Sequence, residues 1–345
     1  MKRYSVVSVV FFLLLLVAPP VSAQFSASPE IDLTLAISPE HPAPRERVVI
    51  KAQSDFLKTR DATLVWYANG RKIQEGTNLT EISVDAGPLG SETRISADIV
   101  ENGTARASSE MLIRPVEIDL LWESGSYVPP FFRGRALPSA GTTMRLLAIP
   151  RFVRTGGSFI DDREIIFTWR KNGYVVASVS GRGKSQVSLP APALFGTDTI
   201  TVEAQTTDGE FRGQASIRVP STEPLLVLYE NHPLFGVQYN NALSTRSFVP
   251  EVETSFVAVP YFAQAESPND GRLIYEWSVN GTRIQSDSER PSELTVNAEN
   301  SSGTAVIELA LTHATNFFMS SARTWGITFS TALPSAFLGD PRLNN

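Results

Sequence analysis

The amino-acid sequence predicts an all-β protein in which three tandem β-sandwich repeats follow a short leader. Three observations predict this fold class. One strand–turn–strand motif recurs three times, alternating apolar and polar residues flank each copy, and no long segment shows the 3.6-residue periodicity of an amphipathic helix. The 345 residues, of which 42% are hydrophobic, are enough for two or three domains of ordinary size.

The leader has the three parts of a secretory signal peptide. Lys2 and Arg3 precede an apolar run over residues 6–18, and small residues precede Gln24. The apolar run is shorter than the roughly 20 residues that a membrane-spanning helix needs. We therefore expect cleavage after Ala23, which makes residues 1–23 a signal peptide and the mature protein an exported chain with no membrane span. The sequence leaves open whether this segment is instead kept as an uncleaved anchor.

The recurring motif is apolar-x-Trp-x-x-Asn-Gly-x-x-Ile/Val, and its copies are centred on Trp66, Trp169 and Trp277. The tryptophans are 103 and 108 residues apart, which is the length of one β-sandwich domain. Alternation along the strand directs each tryptophan to the same face as its apolar neighbours. The Asn-Gly pair favours a two-residue hairpin turn. We predict that the three tryptophans are core residues between two sheets.

Proline-marked linkers separate the copies and set the predicted boundaries. Pro115 and Pro220 stand where the closing strand of one repeat meets the opening strand of the next. The predicted domains are therefore residues 24–115 (repeat 1), 116–220 (repeat 2) and 221–330 (repeat 3). Residues 331–345 are predicted to form a C-terminal tail.

The repeat resembles a known class of domain. Trp-x-x-Asn-Gly in a strand–turn–strand, followed by a late hairpin turn such as Thr207-Asp208-Gly209, is similar to the immunoglobulin-like and PKD-like domains of bacterial surface proteins. The resemblance implies three tandem Ig-like/PKD-like β-sandwich domains with a spacer, adhesion or assembly role. The chain has no cysteine, which excludes disulfide bonds and, in an exported multi-domain protein, favours a bacterial origin.

Charge and motif content argue against several function classes. The net charge of -6 offers no basic field for nucleic acid. His41, His232 and His313 fall in three different repeats, and we find no catalytic or metal-ligating constellation. We therefore expect no enzymatic activity, cofactor or metal ion. The segment 181–185 (Gly-Arg-Gly-Lys-Ser) is interpreted as a basic hairpin tip rather than a phosphate loop, and Asp161-Asp162 as part of a solvated turn.

Repeats 2 and 3 carry a longer, aromatic-bearing loop between their first two strands, which repeat 1 lacks. We predict that these loops are the interaction surface, and the candidate residues are Trp122, Tyr127, Phe131, Phe132, His232, Phe235 and Tyr239. Two interpretations stay open for them, because both loops begin just after a predicted domain boundary. Either they bind a partner, or they pack at the joints between repeats.

These observations together predict a non-enzymatic, exported structural or interaction protein of the bacterial cell surface or envelope, in a pilus-like or other surface assembly. Its partners would then be other envelope or surface proteins. The alternative is an adhesin-like array of carbohydrate-binding modules whose partners are glycans, because aromatic rings stack on sugar faces.

Overall fold

The computed structural model describes residues 31–59, 61–250, 253–299 and 303–329. The predicted signal peptide (1–23) and tail (331–345) lie outside these residues. Within the described part, the regular secondary structure is β-strand, apart from one short helix, α1 (Asp55–Thr59), and two single 3₁₀ turns. The predicted all-β fold class is therefore confirmed.

The chain divides into two compact units. The first contains residues 31–36, 51–59, 61–81 and 95–111. The second contains residues 37–50, residues 82–94 and the described residues from 112 to 329, which include the described part of repeats 2 and 3.

Repeat 1 has seven strands, and α1 stands between the second and the third. They are β1 (Thr34–Ser38), β2 (Arg47–Gln53), β3 (Thr63–Ala68), β4 (Arg71–Thr77), β5 (Glu81–Asp85), β6 (Thr93–Glu101) and β7 (Thr104–Ile113). The strand orders are β1-β2-β5 in one sheet and β4-β3-β6-β7 in the other. Trp66 lies in β3 with no exposed surface, and its indole N–H donates to the backbone oxygen of Leu79 at 2.9 Å.

Repeat 2 has eight strands: β8 (Glu117–Ser124), β9 (Thr143–Arg151), β10 (Ile165–Lys171), β11 (Tyr174–Val175), β12 (Gly181–Arg182), β13 (Gln186–Pro190), β14 (Thr197–Thr206) and β15 (Arg212–Pro220). One sheet has the order β13-β9-β8, and the other has the order β11-β10-β14-β15, with β12 also on β10. Strict alternation along β9 buries Met144, Leu146 and Ala148, which share one core with Phe167 and Trp169 of β10. The two sheets thus form a sandwich around the motif tryptophan.

Repeat 3 has nine strands: β16 (Leu225–His232), β17 (Gly236–Ala242), β18 (Arg246–Val249), β19 (Glu253–Tyr261), β20 (Leu273–Val279), β21 (Thr282–Ile284), β22 (Glu293–Asn297), β23 (Gly303–His313) and β24 (Ser320–Phe329). The sheets have the orders β17-β16-β19-β22 and β18-β24-β23-β20-β21, and β18 pairs with β24 in parallel. Phe256, Trp277 and Trp325 are fully buried in the core of this repeat. The two added strands, β17 and β18, come from the long segment between the first two strands of the sandwich.

The Asn-Gly turns have the backbone conformation that the sequence predicts. Asn69, Asn172 and Asn280 have φ of 50°, 52° and 52°, and the glycine after each also has positive φ, as a two-residue hairpin turn requires. The Oδ1 atom of Asn172 accepts the backbone N–H of Thr199 at 2.8 Å, and that of Asn280 accepts the N–H of Val306 at 2.8 Å. In repeats 2 and 3, the asparagine therefore shapes its hairpin and also fastens it to the neighbouring strand.

The described chain is an array of all-β repeats, each with two sheets and one buried motif tryptophan. Strand β7 ends at Ile113 and β8 begins at Glu117, while β15 ends at Pro220 and β16 begins at Leu225. The predicted boundaries at 115/116 and 220/221 fall in these two short connections and stay predictions.

Candidate functional site

The predicted interaction residues lie in two places. Trp122 is at the end of β8, and Tyr127, Phe131 and Phe132 belong to the segment between β8 and β9, residues 125–142, which we call the repeat-2 loop. The other three residues lie along β16 and β17, whose connecting turn, residues 233–235, we call the repeat-3 tip. His232 ends β16, Phe235 is the last residue of the tip, and Tyr239 lies within β17.

Tyr127 joins the repeat-2 loop to repeat 3 through the backbone. Its N–H donates to the oxygen of Ala263 at 2.8 Å, and its own oxygen accepts the N–H of Phe262 at 2.6 Å. This pair of bonds resembles one rung of an antiparallel ladder. The side chain of Tyr127 is half-buried, and burial raises the pKa of its phenol to about 12, with the nearby Tyr239 and Tyr261 adding to the effect. The phenol therefore stays neutral at physiological pH.

Tyr127 packs into a group of four tyrosines at the joint, which we call the tyrosine cluster: Tyr127, Tyr229, Tyr239 and Tyr261. The rings of Tyr229 and Tyr239 meet edge to face with centroids 5.4 Å apart, and the hydroxyls of Tyr229 and Tyr261 are 2.7 Å apart. Burial raises the pKa of Tyr239 and Tyr261 as well. Tyr239, predicted as a loop aromatic, is thus a packed residue on an outer sheet strand.

The two phenylalanines of the repeat-2 loop have different surroundings. Phe132 is half-buried, and its ring meets Tyr261 and Phe262 edge to face, with centroids 5.6 and 6.0 Å away. Phe131 has φ of 64° and is 92% exposed. One ring therefore packs at the joint between repeats 2 and 3, and its neighbour points into solvent.

Trp122 lies apart from the joint. It packs against the repeat-2 core, and the guanidinium of Arg135 sits over its ring at 4.0 Å from the centroid. This is the geometry of a cation–π contact, which holds the far part of the repeat-2 loop against β8.

His232 and Phe235 are brought together at the repeat-3 tip. Their rings stack with centroids 4.6 Å apart, and Nδ1 of His232 accepts the backbone N–H groups of Leu234 and Phe235 at 3.1 and 3.3 Å. The tip is therefore held in a fixed shape, with Leu234 83% and Phe235 76% exposed.

The structure adds a third exposed apolar site that sequence reasoning missed. The loop between β23 and β24 carries Phe317, 92% exposed, and Phe318, 61% exposed, and their rings meet edge to face at 5.9 Å. The signal was present in the sequence, because this loop replaces the glycine-containing turn of repeats 1 and 2 with a run that ends in two phenylalanines.

Asn316, in the same loop, fastens repeat 3 to repeat 2. Its Nδ2 donates to the oxygen of Ala140 at 2.7 Å and to Oε1 of Gln264 at 2.8 Å. Nδ1 of His313 accepts the N–H of Asn316 at 3.0 Å, and burial lowers the pKa of this imidazole. A neutral His313 can accept that hydrogen bond, so it helps to hold the loop in the shape that presents Asn316 to repeat 2.

A smaller set of contacts connects the end of repeat 1 with repeat 2 inside the second unit. The N–H of Val116 donates to the oxygen of Pro42 at 3.1 Å, and the guanidinium of Arg114, which forms an ion pair with Glu92 of its own repeat, donates to the oxygen of Glu210 at 3.4 Å. Pro42 lies between β1 and β2, as the repeat-2 loop lies between β8 and β9. In both repeats, the segment between the first two strands contacts the repeat that follows.

The described residues contain no group of three or more His, Asp or Glu side chains placed to hold a metal ion. Asp161 caps a 3₁₀ turn by accepting the N–H of Arg163, and Asp270 forms an ion pair with Arg272 at 2.6 Å. Across the described ranges, no helix has the length and apolar character needed to cross a membrane.

No protein-family model matches the chain, and no curated protein matches it in sequence. Among solved structures, the three N-terminal domains of the Hoc outer capsid protein of bacteriophage RB49 cover 88% of this chain and 100% of their own, at 11% identity and a TM-score of 0.25. The central fibronectin-III array of RIM-binding protein covers 87% and 96% at 14% identity, with a TM-score of 0.28. A Bacteroides ovatus glucan-utilization protein, SGBP-B, solved with a mixed-linkage heptasaccharide, covers 87% and 70% at 13% identity, with a TM-score of 0.22.

Proposed function

We propose that this chain is a non-enzymatic, exported structural and interaction protein of the bacterial cell surface or envelope, and a component of a pilus-like or other surface assembly. Its repeats act as a scaffold, and its loop tips bind other envelope or surface proteins. The leader with its predicted cleavage at Ala23 and the cysteine-free composition support export from a bacterium.

The observation that carries the proposal is that large apolar side chains are exposed on loops held in place by hydrogen bonds. Phe131, Leu234 and Phe317 are each more than 80% exposed. Leu234 lies beside the exposed Phe235, and Phe317 lies beside the exposed Phe318. Neighbouring exposed apolar side chains mark protein interaction sites, because covering them removes apolar area from water. Hydrogen bonds hold these loops in place: the backbone bonds of Tyr127, those that His232 accepts and those that Asn316 donates. Little conformational freedom is therefore lost when a partner binds.

Replacing the exposed tips tests the proposal without disturbing the joint. A variant with Phe131→Ser, Leu234→Ser and Phe317→Ser should lose most retention of envelope proteins in a pull-down from the native organism. A matched control with Tyr174→Ser removes an aromatic that is 81% exposed on a short hairpin of repeat 2 and should retain them. Equal retention by both variants would contradict the proposal.

A second candidate function is glycan binding, and the pair Phe317 and Phe318 favours it. Two adjacent exposed rings set edge to face offer an apolar surface for the faces of sugar rings. Affinity electrophoresis through gels that contain cell-wall or plant polysaccharides separates the two functions. Retardation that disappears in Phe317→Ala/Phe318→Ala supports glycan binding, and unchanged mobility in every gel supports the assembly role.

A further inference from the structure

Repeats 2 and 3 carry similar short sequences at the same place in the sandwich. The repeat-2 loop contains Pro130-Phe131-Phe132, and the repeat-3 tip is Pro233-Leu234-Phe235. Each triplet follows the first strand of its repeat, β8 or β16, and precedes its long antiparallel partner, β9 or β19, so the two hold the same place in the strand order. Phe131 corresponds to Leu234, and Phe132 corresponds to Phe235.

The equivalent residues differ in what covers them. Phe131 and Leu234 are both exposed, at 92% and 83%. Phe132 is half-buried, because its ring packs on Tyr261 and Phe262 at the end of β19 in repeat 3. Phe235, in contrast, is 76% exposed and touches His232 of its own hairpin. The repeat-3 tip therefore resembles the part of the repeat-2 loop that packs on the next repeat. Among the described residues, however, no other repeat covers it.

We infer that the repeat-3 tip docks on the first repeat of a second copy of this chain, which gives a head-to-tail contact between copies. The inference rests on the proposed function and names one partner in the proposed assembly, a second copy of the same chain. The two existing joints argue for this occupant, because in each the segment between the first two strands of one sandwich contacts the next Ig-like repeat.

Repeat 1 offers a receiving surface at the corresponding place. The aromatic pair that receives Phe132 stands at the end of β19, the second long strand of repeat 3, and in repeat 1 the corresponding strand β2 runs into α1. Leu57 of α1 lines an open depression of about 520 Å³, together with Asp32, Ser54, Asp55 and Lys58. A phenyl ring from a second copy fits a depression of this size and can contact the side chain of Leu57.

Such a contact is heterologous, because the tip of one copy meets a different surface on the next. A heterologous contact closes into a ring or extends into a filament, depending on the rotation between copies. Either product suits a component of a surface assembly.

Introduced cysteines test the docking directly, because the chain has no cysteine of its own. Leu234→Cys and Lys58→Cys are made in separate samples of the exported, purified chain, mixed and mildly oxidised. The mixture should form a disulfide-linked dimer, while each variant alone stays largely monomeric. Phe317→Cys mixed with Lys58→Cys is the matched control and should form little dimer.

Sedimentation velocity of the unmodified chain provides the second measurement. We expect concentration-dependent association that Phe235→Ser weakens by at least about tenfold, as for a central interface anchor, and that Phe317→Ser leaves unchanged. A chain that stays monomeric at all concentrations overturns the inference, as does association that Phe235→Ser does not affect. Neither result touches the proposed function, whose test is the retention of other envelope proteins.

Discussion

Each motif tryptophan combines two roles in one side chain. Trp66, Trp169 and Trp277 have no exposed surface, and their indole N–H groups donate to backbone oxygens at 2.9, 2.8 and 3.0 Å. In repeat 2 the acceptor is Lys184, in the segment that leads into the opposite sheet. The ring thus fills the core, while its only polar group connects the two sheets.

Substitution of Trp169 should separate these roles. Trp169→Phe leaves the oxygen of Lys184 without its donor and should cost about 1–3 kcal/mol of unfolding free energy. Trp169→Ala also opens a cavity and should cost about 3–5 kcal/mol. Tyr174→Ala, at an exposed position, should change the stability by less than about 0.5 kcal/mol. Urea denaturation followed by circular dichroism measures all three, and a Trp169→Ala variant as stable as the Tyr174→Ala variant would refute this role.

Tyr127 should make the stability of the folded chain depend on pH, because burial raises the pKa of its phenol to about 12 in the folded chain. In the unfolded chain the phenol ionises near pH 10. The folded state therefore holds this proton more tightly, so the stability that Tyr127 contributes is complete below pH 10 and is lost as the pH rises through 12. Tyr127→Phe, which cannot ionise, should lose stability less steeply between pH 10 and 12 in urea denaturation. Tyr174→Phe is the control, and equal slopes for Tyr127→Phe and the unmodified chain would show that Tyr127 ionisation is not coupled to folding.

At the scale of elements, the hairpin turns and the core strands were predictable from sequence, and the loop packing was not. The Asn-Gly turns and the alternating strands depend on local backbone preferences and burial, which a short window of sequence reports. The position of the repeat-2 loop depends on Tyr127 meeting Phe262 and Ala263, more than 130 residues later in the chain. No local pattern encodes such a contact. For the same reason, the sequence could group Phe131 with Phe132 without showing that only one of them is covered.

The joint between repeats 2 and 3 depends on a glycine whose neighbours leave no room for a side chain. Gly141 has φ of 89°, and a Cβ atom there would lie 2.3 Å from Nδ2 of Asn316 and 2.6 Å from Oε1 of Gln264. Gly173 has a similar φ of 84° in a hairpin turn, but a Cβ atom there would meet nothing within 4 Å. Comparing substitutions at these two glycines therefore separates the effect of backbone strain from the effect of crowding at the joint.

We predict that Gly141→Ala and Gly173→Ala each lose about 1–2 kcal/mol of stability through strained backbone, and that only Gly141→Ala loosens the joint. Asn316 must move away, and with it the bond to Ala140. Hydrogen exchange followed by mass spectrometry should show faster exchange of the Tyr127 and Phe262 amides in Gly141→Ala only. Equal protection in both variants would show that the Asn316 bridge does not hold the joint.

At the scale of the whole molecule, the array offers exposed apolar tips at separate places in repeats 2 and 3. Phe131 and Phe317 belong to loops that meet at the joint, through the bond between Asn316 and Ala140. The repeat-3 tip belongs to a hairpin beyond the first strand of its sandwich. A protein with several such tips can hold more than one partner, and this is the property that a structural component of a surface assembly needs.

The central claim, that the chain works by binding envelope partners through these tips, is tested most directly by crosslinking in living cells. The native protein and the variant Phe131→Ser/Leu234→Ser/Phe317→Ser are crosslinked, the envelope is fractionated, and the attached proteins are identified by mass spectrometry. We predict that the native chain is recovered with defined envelope or surface proteins and that the variant loses them at equal abundance. Recovery of the native chain alone in the medium, attached only to polysaccharide, or with partners that the variant retains, would contradict the claim.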